Sequence, residues 1–109
     1  MSKIEVTLGT ATPGGGFPVY GQGVAGTING VDATVDVRPR NTKGSTENVP
    51  LLEKGAIDLG LVAGELASAA LSKPGTRLSI VTAMYSSPGM FMVRADRPYR
   101  TIADLKDKP

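Results

Sequence analysis

The chain has 109 residues, of which 40% are hydrophobic and 20% are charged, and this is the composition of a small globular domain. It has no cysteine and no histidine, so disulfides, thiol nucleophiles, cysteine zinc sites and a Ser-His-Asp triad are excluded. The net charge is only +2 and the two Phe and three Tyr are scattered, so we predict no nucleic-acid partner.

The first part of the chain alternates between strand-like and helix-like segments. In "KIEVTLG" (3–9), apolar residues alternate with polar ones, which predicts the first strand. "FPVYGQGVAGTIN" then predicts a helix with Pro18 in its first turn and Gly30 at its end. "ATVDVRP" (33–39) predicts the second strand, and "STENVPLLEKG" (45–55) predicts a capped helix that ends on a left-handed glycine.

The second part of the chain continues this alternation. "AIDLGLV" predicts the third strand and "ELASAALS" a short helix, and "RLSIVTAMY" and "GMFMVRAD" predict two longer β segments. "TIADLK" predicts the opening of a helix, with Thr101 as N-cap and Asp104 in an approximate capping box. The whole pattern predicts an α/β fold with a mainly parallel sheet and helices on both faces.

The glycine-rich stretch "GTATPGGGFPVYGQGVAG" (9–26) raises the question of phosphate binding. The spacing of Gly9 and Gly14 fits a phosphate-binding loop, but glycines stand where that motif requires Lys and Ser or Thr. "GQGVAG" matches the dinucleotide pattern G-x-G-x-x-G, but it lies inside the predicted helix and not directly after the first strand. We therefore favour helix–sheet packing over nucleotide binding for these glycines.

Two loops retain an arrangement that suits an anion. "TATPGGG" precedes the first predicted helix, and "GSTEN" opens the second one directly after the second strand. The N–H groups at a helix start attract anions, and two such starts at one edge of a parallel sheet converge on one crevice. From the residues alone, a carboxylate site and a pair of tight turns both stay open.

Four blocks of the sequence, "GTATPGGGFPVYGQGVAGTIN", "GSTENVPLLEKGAIDLGLV", "TAMYSSPGMFMVRAD" and "TIADLKDK", resemble in the same order the amino-terminal part of TAXI-type solute receptors. These receptors are the periplasmic substrate-binding components of tripartite TRAP transporters. The resemblance implies the first lobe of a type II periplasmic-binding-protein-like fold, with residues 1–109 forming most of that lobe and the second lobe absent. It also implies a receptor and not an enzyme, with no cofactor and no metal, that holds a glutamate-like amino acid or a dicarboxylate between two lobes.

The resemblance further implies a set of ligand-binding residues on the loops that follow the strands and at the end of "TAMY". They are Thr10, Ala11, Thr12, Gly15, Phe17, Gly44, Ser45, Asn48, Gly64, Glu65 and Tyr85. Hydroxyl groups and backbone amides would bind the carboxylate, aromatic rings the aliphatic part, and Glu65 an ammonium group. The alternative for each residue is a structural role as a turn former, a helix cap or a core side chain.

Three positions qualify the resemblance. Lys43 stands where the family usually has a small residue, which makes the second loop bulkier and more cationic. Pro50 falls within the second predicted helix and predicts either a kink or a start of that helix near Pro50. Asp58 matches a hallmark of the family, and we predict a structural role for it in a turn.

Other functions stay open at this stage. The chain could be a fragment of an α/β enzyme whose catalytic residues lie outside it, or a stand-alone interaction domain. The start "MSKIEVTLG" carries no apolar signal segment, so the periplasmic location implied by the resemblance requires a signal peptide that has been removed, and the alternative is a cytoplasmic protein. As partners we expect a small carboxylate, the membrane subunits of a TRAP transporter, and self-association through the apolar "GMFMV" segment.

Overall fold

The computed structural model describes residues 2–87 and 89–108 and contains a three-stranded parallel sheet with strand order β2-β1-β3. The elements in chain order are β1 (Ile4–Gly9), α1 (Gly16–Val31), β2 (Val35–Arg40), α2 (Ser45–Glu53), β3 (Leu59–Gly60), α3 (Gly64–Leu71) and a 3-10 helix (Ile102–Leu105). β1 pairs with β2 from Ile4 opposite Val35 to Gly9 opposite Arg40, and Leu8 and Gly9 pair with β3. The α/β fold predicted from the sequence is confirmed, and it fits a part of a periplasmic-binding-protein-like fold.

Helices α1 and α2 lie on opposite faces of the sheet. The side chains of neighbouring strand residues point to opposite faces of the sheet. The contacts at Leu8 and at Gly9 therefore show which helix covers each face. Leu8 packs against Ala25 of α1. A Cβ atom on Gly9 would lie 2.6 Å from the side chain of Ile57 and 2.7 Å from that of Asn48, which belongs to α2. The absence of a side chain at Gly9 therefore allows α2 and Ile57 to pack closely against the central strand β1.

One hydrophobic cluster of the core lies between α1 and the sheet. Its buried centre is formed by Leu8, Ala25 and Val37, with Val6, Val24, Ile28, Leu59 and Leu61 packed around it. A Cβ atom on Gly21 would lie 2.5 Å from the methyl group of Thr10, so this glycine allows α1 to sit close to β1. The packing role predicted for "GQGVAG" is confirmed at Gly21, whereas Cβ atoms on Gly23 and Gly26 would meet no atom within 4 Å.

Side chains replace missing strand partners on both sides of the sheet. On the outer side of β2, Asn29 of α1 accepts a hydrogen bond from the N–H of Val37 at 2.7 Å and donates one to its carbonyl at 3.0 Å. Next to β3, the carboxylate of Asp58 accepts from the N–H of Thr7 at 2.8 Å, and the N–H of Asp58 donates to the Thr7 carbonyl at 3.0 Å. These bonds give Asp58 the structural role that the sequence predicted.

Helix α2 begins at the first residue of the predicted segment "STENVPLLEKG". Gly44 occupies the N-cap with φ of 90°, a conformation that favours glycine, and Ser45 is the first helical residue. The helix continues through Pro50 to Glu53, so of the two alternatives for this proline, a helix start near Pro50 is wrong. The proline is exposed and removes a single backbone donor, and the helix extends only three residues beyond it. Gly55, with φ of 74°, gives the left-handed ending that was predicted.

The two β segments predicted for "RLSIVTAMY" and "GMFMVRAD" are wrong for the described residues, which form no strand between 72 and 101. Strands need hydrogen-bonding neighbours, and the described sheet ends at β3. Most residues of this extended segment, residues 72–101, are exposed. The Cα radius of gyration is accordingly 18.3 Å, whereas a compact chain of this length has about 13 Å.

The last described element is short and capped. Thr101 accepts a hydrogen bond from the N–H of Asp104 at 3.3 Å, and Asp104 accepts one from the N–H of Thr101 at 2.9 Å. The predicted capping box is confirmed, although it opens a 3-10 helix. Of the helices within residues 2–87 and 89–108, none has both the length and the apolar character that a membrane span requires.

Candidate functional site

Three helices begin at one edge of the sheet. Because β1, β2 and β3 are parallel and each is followed by a helix, the starts of α1, α2 and α3 all lie at the carboxyl edge. The first two N–H groups of each helix donate to no protein acceptor within the described residues. They belong to Gly16, Phe17, Ser45, Thr46, Gly64 and Glu65. Such N–H groups, together with the positive ends of the helix dipoles, favour an anion at this edge.

The loop before α1 is tied to the loop before α2. The carbonyl of Ala11 accepts a hydrogen bond from the Asn41 side chain at 2.9 Å and one from the N–H of Thr42 at 3.3 Å. The N–H of Thr10 also donates to the Arg40 carbonyl at 2.9 Å, which continues the pairing of β1 with β2. These bonds fix the first two helix starts side by side.

The side chain of Asn48 connects all three loops. It is fully buried, and its Nδ2 donates to the carbonyls of Thr10 and Leu61, each at 2.8 Å, with a longer contact of 3.3 Å to Gly9. Its Oδ1 accepts from the hydroxyl of Thr42 at 2.7 Å. One carboxamide therefore holds the ends of β1 and β3 and the loop before α2 in fixed positions.

Ser45 links the second helix start to the third. Its hydroxyl oxygen accepts a hydrogen bond from the N–H of Ala63, the N-cap of α3, at 2.9 Å. The hydroxyl proton of Ser45 has no acceptor within the described residues, so it remains available to a ligand. The Ser45 hydroxyl therefore bridges the starts of α2 and α3.

The predicted ligand-binding residues fall into two groups. Gly44, Thr10 and Asn48 are buried, and the Thr10 hydroxyl donates to the Arg40 carbonyl at 3.0 Å, so their polar groups hold the loops together. The others lie at the accessible edge or come to it from the extended segment. They are Ala11, Thr12, Gly15, Phe17, Ser45, Gly64, Glu65 and Tyr85.

Tyr85 reaches the site from the extended segment. Its ring packs edge to face against Tyr20 of α1, with ring centroids 5.1 Å apart and planes at 63°. Its hydroxyl oxygen lies 3.0 Å from the point that a Cβ atom on Gly16 would occupy. The phenol therefore stands beside the start of α1.

Charged groups of both signs surround this edge. The carboxylate of Glu47 accepts a hydrogen bond from the N–H of Lys43 at 3.2 Å, which caps α2. Lys43 is exposed in the second loop, and Glu65 is exposed in the first turn of α3. Neither side chain forms an ion pair within the described residues. Charges of both signs therefore lie near the helix starts.

A separate surface cavity lies at the opposite edge. It has a volume of about 640 Å³ and is lined by the residues that follow α2 and α3, including Lys54 and Lys73. Lysines at helix ends compensate the negative ends of the helix dipoles, so they have a structural explanation there. Within the described residues, no group of three or more His, Cys, Asp or Glu side chains could hold a metal ion. The carboxyl edge is therefore the better candidate site.

Sequence analysis missed the residues that organise this edge. Asn41 and Thr42 hold the first two loops together, and Tyr20 holds Tyr85. A threonine two residues before the glycine at a helix start is a recognisable turn signal, and the Thr42 hydroxyl does accept from the N–H of Gly44 at 3.0 Å. The contact between Tyr20 and Tyr85 spans residues far apart in the sequence, and no local pattern signals it.

Comparison with known proteins identifies the family. Residues 8–109 match the model of the NMT1-like family. The chain belongs to the NMT1-like family. This is a periplasmic-binding-protein-like family of extracytoplasmic binding proteins, which supports solute binding in general. Searches of curated proteins and of solved structures gave no match.

Proposed function

We propose that this NMT1-like chain is the first lobe of an extracytoplasmic solute receptor that binds a small carboxylate at the carboxyl edge of its sheet. The observation that carries the proposal is the group of six helix-start N–H groups that have no protein acceptor within the described residues. The loops that present them are already fixed by Asn48 and Ala11, so a ligand would meet donors that need no rearrangement. Thr12 and Ser45 add hydroxyl groups at the same edge.

The energetics support binding between two lobes. Each charge-assisted hydrogen bond contributes about 1.5–3 kcal/mol, and each helix dipole about 0.3–1 kcal/mol. A micromolar complex needs about 8 kcal/mol, after the loss of translational and rotational freedom has been offset. An open edge stays hydrated and its polar contacts are weak. A second lobe that closes over the ligand would exclude this water and supply further donors.

The side chains at the edge favour a glutamate-like amino acid or a dicarboxylate as ligand. The exposed carboxylate of Glu65 lies in the first turn of α3 and would pair with an ammonium group. The rings of Phe17 and Tyr85 offer apolar surface for the aliphatic part of the ligand. These roles extend the general solute-binding assignment of the family to particular residues.

The resemblance to TAXI-type receptors supports a finer assignment. On this proposal the receptor serves a tripartite TRAP transporter, its partners are the transporter's membrane subunits, and it works in the periplasm without catalysing a reaction. Residues 1–109 would form most of the first lobe.

Calorimetry with L-glutamate and succinate tests the proposed function. The 109-residue chain should bind at best with millimolar affinity, and the complete two-lobe receptor much more tightly. Ser45→Ala or Tyr85→Ala should weaken binding by the receptor at least tenfold, whereas Ser68→Ala, an exposed serine on α3, should leave it unchanged. Tight binding by the 109-residue chain alone, or indifference of the receptor to both substitutions, would refute the shared cleft.

A further inference from the structure

The contact of Tyr85 with α1 is unusual for its segment. Between residues 79 and 87, only Met84 is half-buried, and the other residues are exposed. Tyr85 itself is 45% exposed, yet its ring packs edge to face on Tyr20 at a centroid distance of 5.1 Å. Edge-to-face pairs at this distance are favourable beyond the surface that they bury. The ring of Tyr85 is thus held at one place by a defined partner.

Gly16 and Tyr20 form the surface that receives Tyr85. They are four residues apart in α1 and therefore lie on the same face of the helix. Gly16 has no side chain, and the hydroxyl of Tyr85 occupies the space where one would begin, 3.0 Å from the ideal Cβ position. A longer side chain at position 16 would push the phenol away from the first N–H groups of α1.

Tyr20 also separates Tyr85 from an apolar groove. The groove follows α1, has a volume of about 430 Å³ and is lined by Tyr20, Gly23, Val24, Thr27 and Ile28. Tyr20 both lines this groove and contacts the ring of Tyr85, so its side chain lies between the groove and the site. The ring thereby limits the space for an apolar tail.

We propose that Gly16 and Tyr20 are positioning residues that hold Tyr85 across the start of α1 and so set the size of ligand that the carboxyl edge accepts. The inference rests on the proposed function, since it concerns the same anion site. Short carboxylates fit between the helix starts and the Tyr85 ring. Carboxylates with longer apolar tails gain no contact with the groove because the Tyr20 ring lies between the groove and the helix starts.

The positioning is testable without ligand. The chain has no Trp and only three Tyr, so the ring signals of Tyr20 and Tyr85 can be assigned by NMR. Gly16→Ala should shift both ring signals and weaken the cross-peaks between them. Gly26 lies in the same helix, and a Cβ atom at this position would meet no atom within 4 Å. Gly26→Ala should therefore leave both ring signals and their cross-peaks unchanged. Ring cross-peaks that survive Gly16→Ala at full strength would overturn the positioning role of Gly16.

Ligand selection is then measured by NMR titration of the same variants with succinate and with hexanoate. Gly16→Ala and Tyr20→Ala should raise the dissociation constant for succinate at least threefold, and Tyr20→Ala should lower that for hexanoate. Tyr20→Phe keeps the ring, so its dissociation constants for succinate and hexanoate should equal those of the unaltered chain. Gly26→Ala should also leave both constants unchanged. Unchanged constants in Gly16→Ala and Tyr20→Ala would overturn this proposal alone. Failure of the unaltered chain and of the complete receptor to bind any small carboxylate would overturn the proposed function, and with it the selection proposed here.

Discussion

Residues 4–71 and residues 72–108 contrast sharply although both are rich in apolar residues. The first region contains all three strands and three α-helices, and every residue that the described part of the chain buries lies at or before Ala70. The second region exposes its large apolar side chains, with Val81 80% and Phe91 88% exposed. Apolar character is therefore not sufficient for a strand to form. A segment also needs a neighbour that accepts its backbone hydrogen bonds, and only the first region supplies one.

The contrast also concerns polar contacts. In the first region, Asn48 and Thr42 are buried and their hydrogen bonds join segments that are up to 39 residues apart. In the second region, the side-chain hydrogen bonds of the described residues join groups at most four residues apart. Long-range polar contacts thus accompany the packed sheet, while short-range ones suffice for the exposed segment.

Amide hydrogen exchange should show the largest difference between the two regions. The N–H groups of Val6 and Leu8 in the paired part of β1 should exchange at least about a thousandfold more slowly than those of residues 78–84, since opening β1 requires global unfolding. Exchange followed by NMR measures both sets in one experiment. Comparable protection of residues 78–84 would show that this segment pairs with a strand and would abolish the contrast.

Loss of the Asn48 side chain should cause the largest change in stability. Asn48→Ala removes the hydrogen bonds of this side chain to the Thr10 and Leu61 carbonyls and to the Thr42 hydroxyl, and each of them contributes about 0.5–1.5 kcal/mol. We expect a decrease of about 3 kcal/mol or more in the free energy of unfolding, measured by urea denaturation. Asn41→Ala, which removes one exposed hydrogen bond, is the matched control and should cost about 1 kcal/mol or less. Equal effects of the two substitutions would contradict the central role of Asn48.

A methyl group on Gly9 should have a smaller effect. In Gly9→Ala the new Cβ atom would press on Ile57 and Asn48, and overpacking of this kind costs about 1–3 kcal/mol. Gly26→Ala, in the open interior of α1, should instead stabilise the chain by up to about 1 kcal/mol because alanine favours the helix. The midpoint temperatures of thermal unfolding of the two variants should therefore change in opposite directions. A change in the same direction would show that α2 and Ile57 do not pack closely against Gly9.

The smallest effect concerns two carboxyl groups, one in each region. Hydrogen bonds from Arg100 and Thr101 lower the pKa of Asp104 below its ordinary value of 3.8, and hydrogen bonds from the Thr34 hydroxyl and N–H lower the pKa of Asp32 in the same way. Because both pKa values are lowered in the folded chain, their contribution to stability is present above pH 3.8 and is lost as the pH falls through the lowered values. NMR titration should show pKa values below the ordinary value for both carboxyl groups. Asp104→Asn should remove the pH-dependent shift of the Arg100 N–H signal at acid pH and leave the titration of Asp32 unchanged. An ordinary pKa for Asp104 would mean that the capping box of Thr101 and Asp104 does not form in residues 72–108.

The sequence predicted those parts of the fold that depend on local patterns. The alternation in "KIEVTLG", the capping residues at Thr101 and Asp104 and the left-handed Gly55 all lie within a few residues of what they determine. The prediction was wrong where the outcome depends on distant residues. "RLSIVTAMY" has the composition of a buried strand, but its pairing depends on a neighbour that its own residues do not specify.

The candidate site shows the same limit. The positions of the helix starts follow from strand order and could be predicted, because parallel strands place their following loops at one edge. The buried hydrogen bonds of Asn48 and the contact between Tyr20 and Tyr85 could not, because each joins segments that come together only in the folded sheet. The ligand contacts implied by the resemblance stay predictions.

The hydrogen bonds of Asn29 determine on which side the sheet can grow. Val37 is the residue of β2 whose outward N–H and carbonyl would bind an added strand, and both are already bonded to Asn29. Pro39, two residues further along the same outward edge, has no N–H to offer. An edge blocked in this way resists pairing with a second chain and the aggregation that follows from it. Any additional strand, from this molecule or another, must therefore join beside β3.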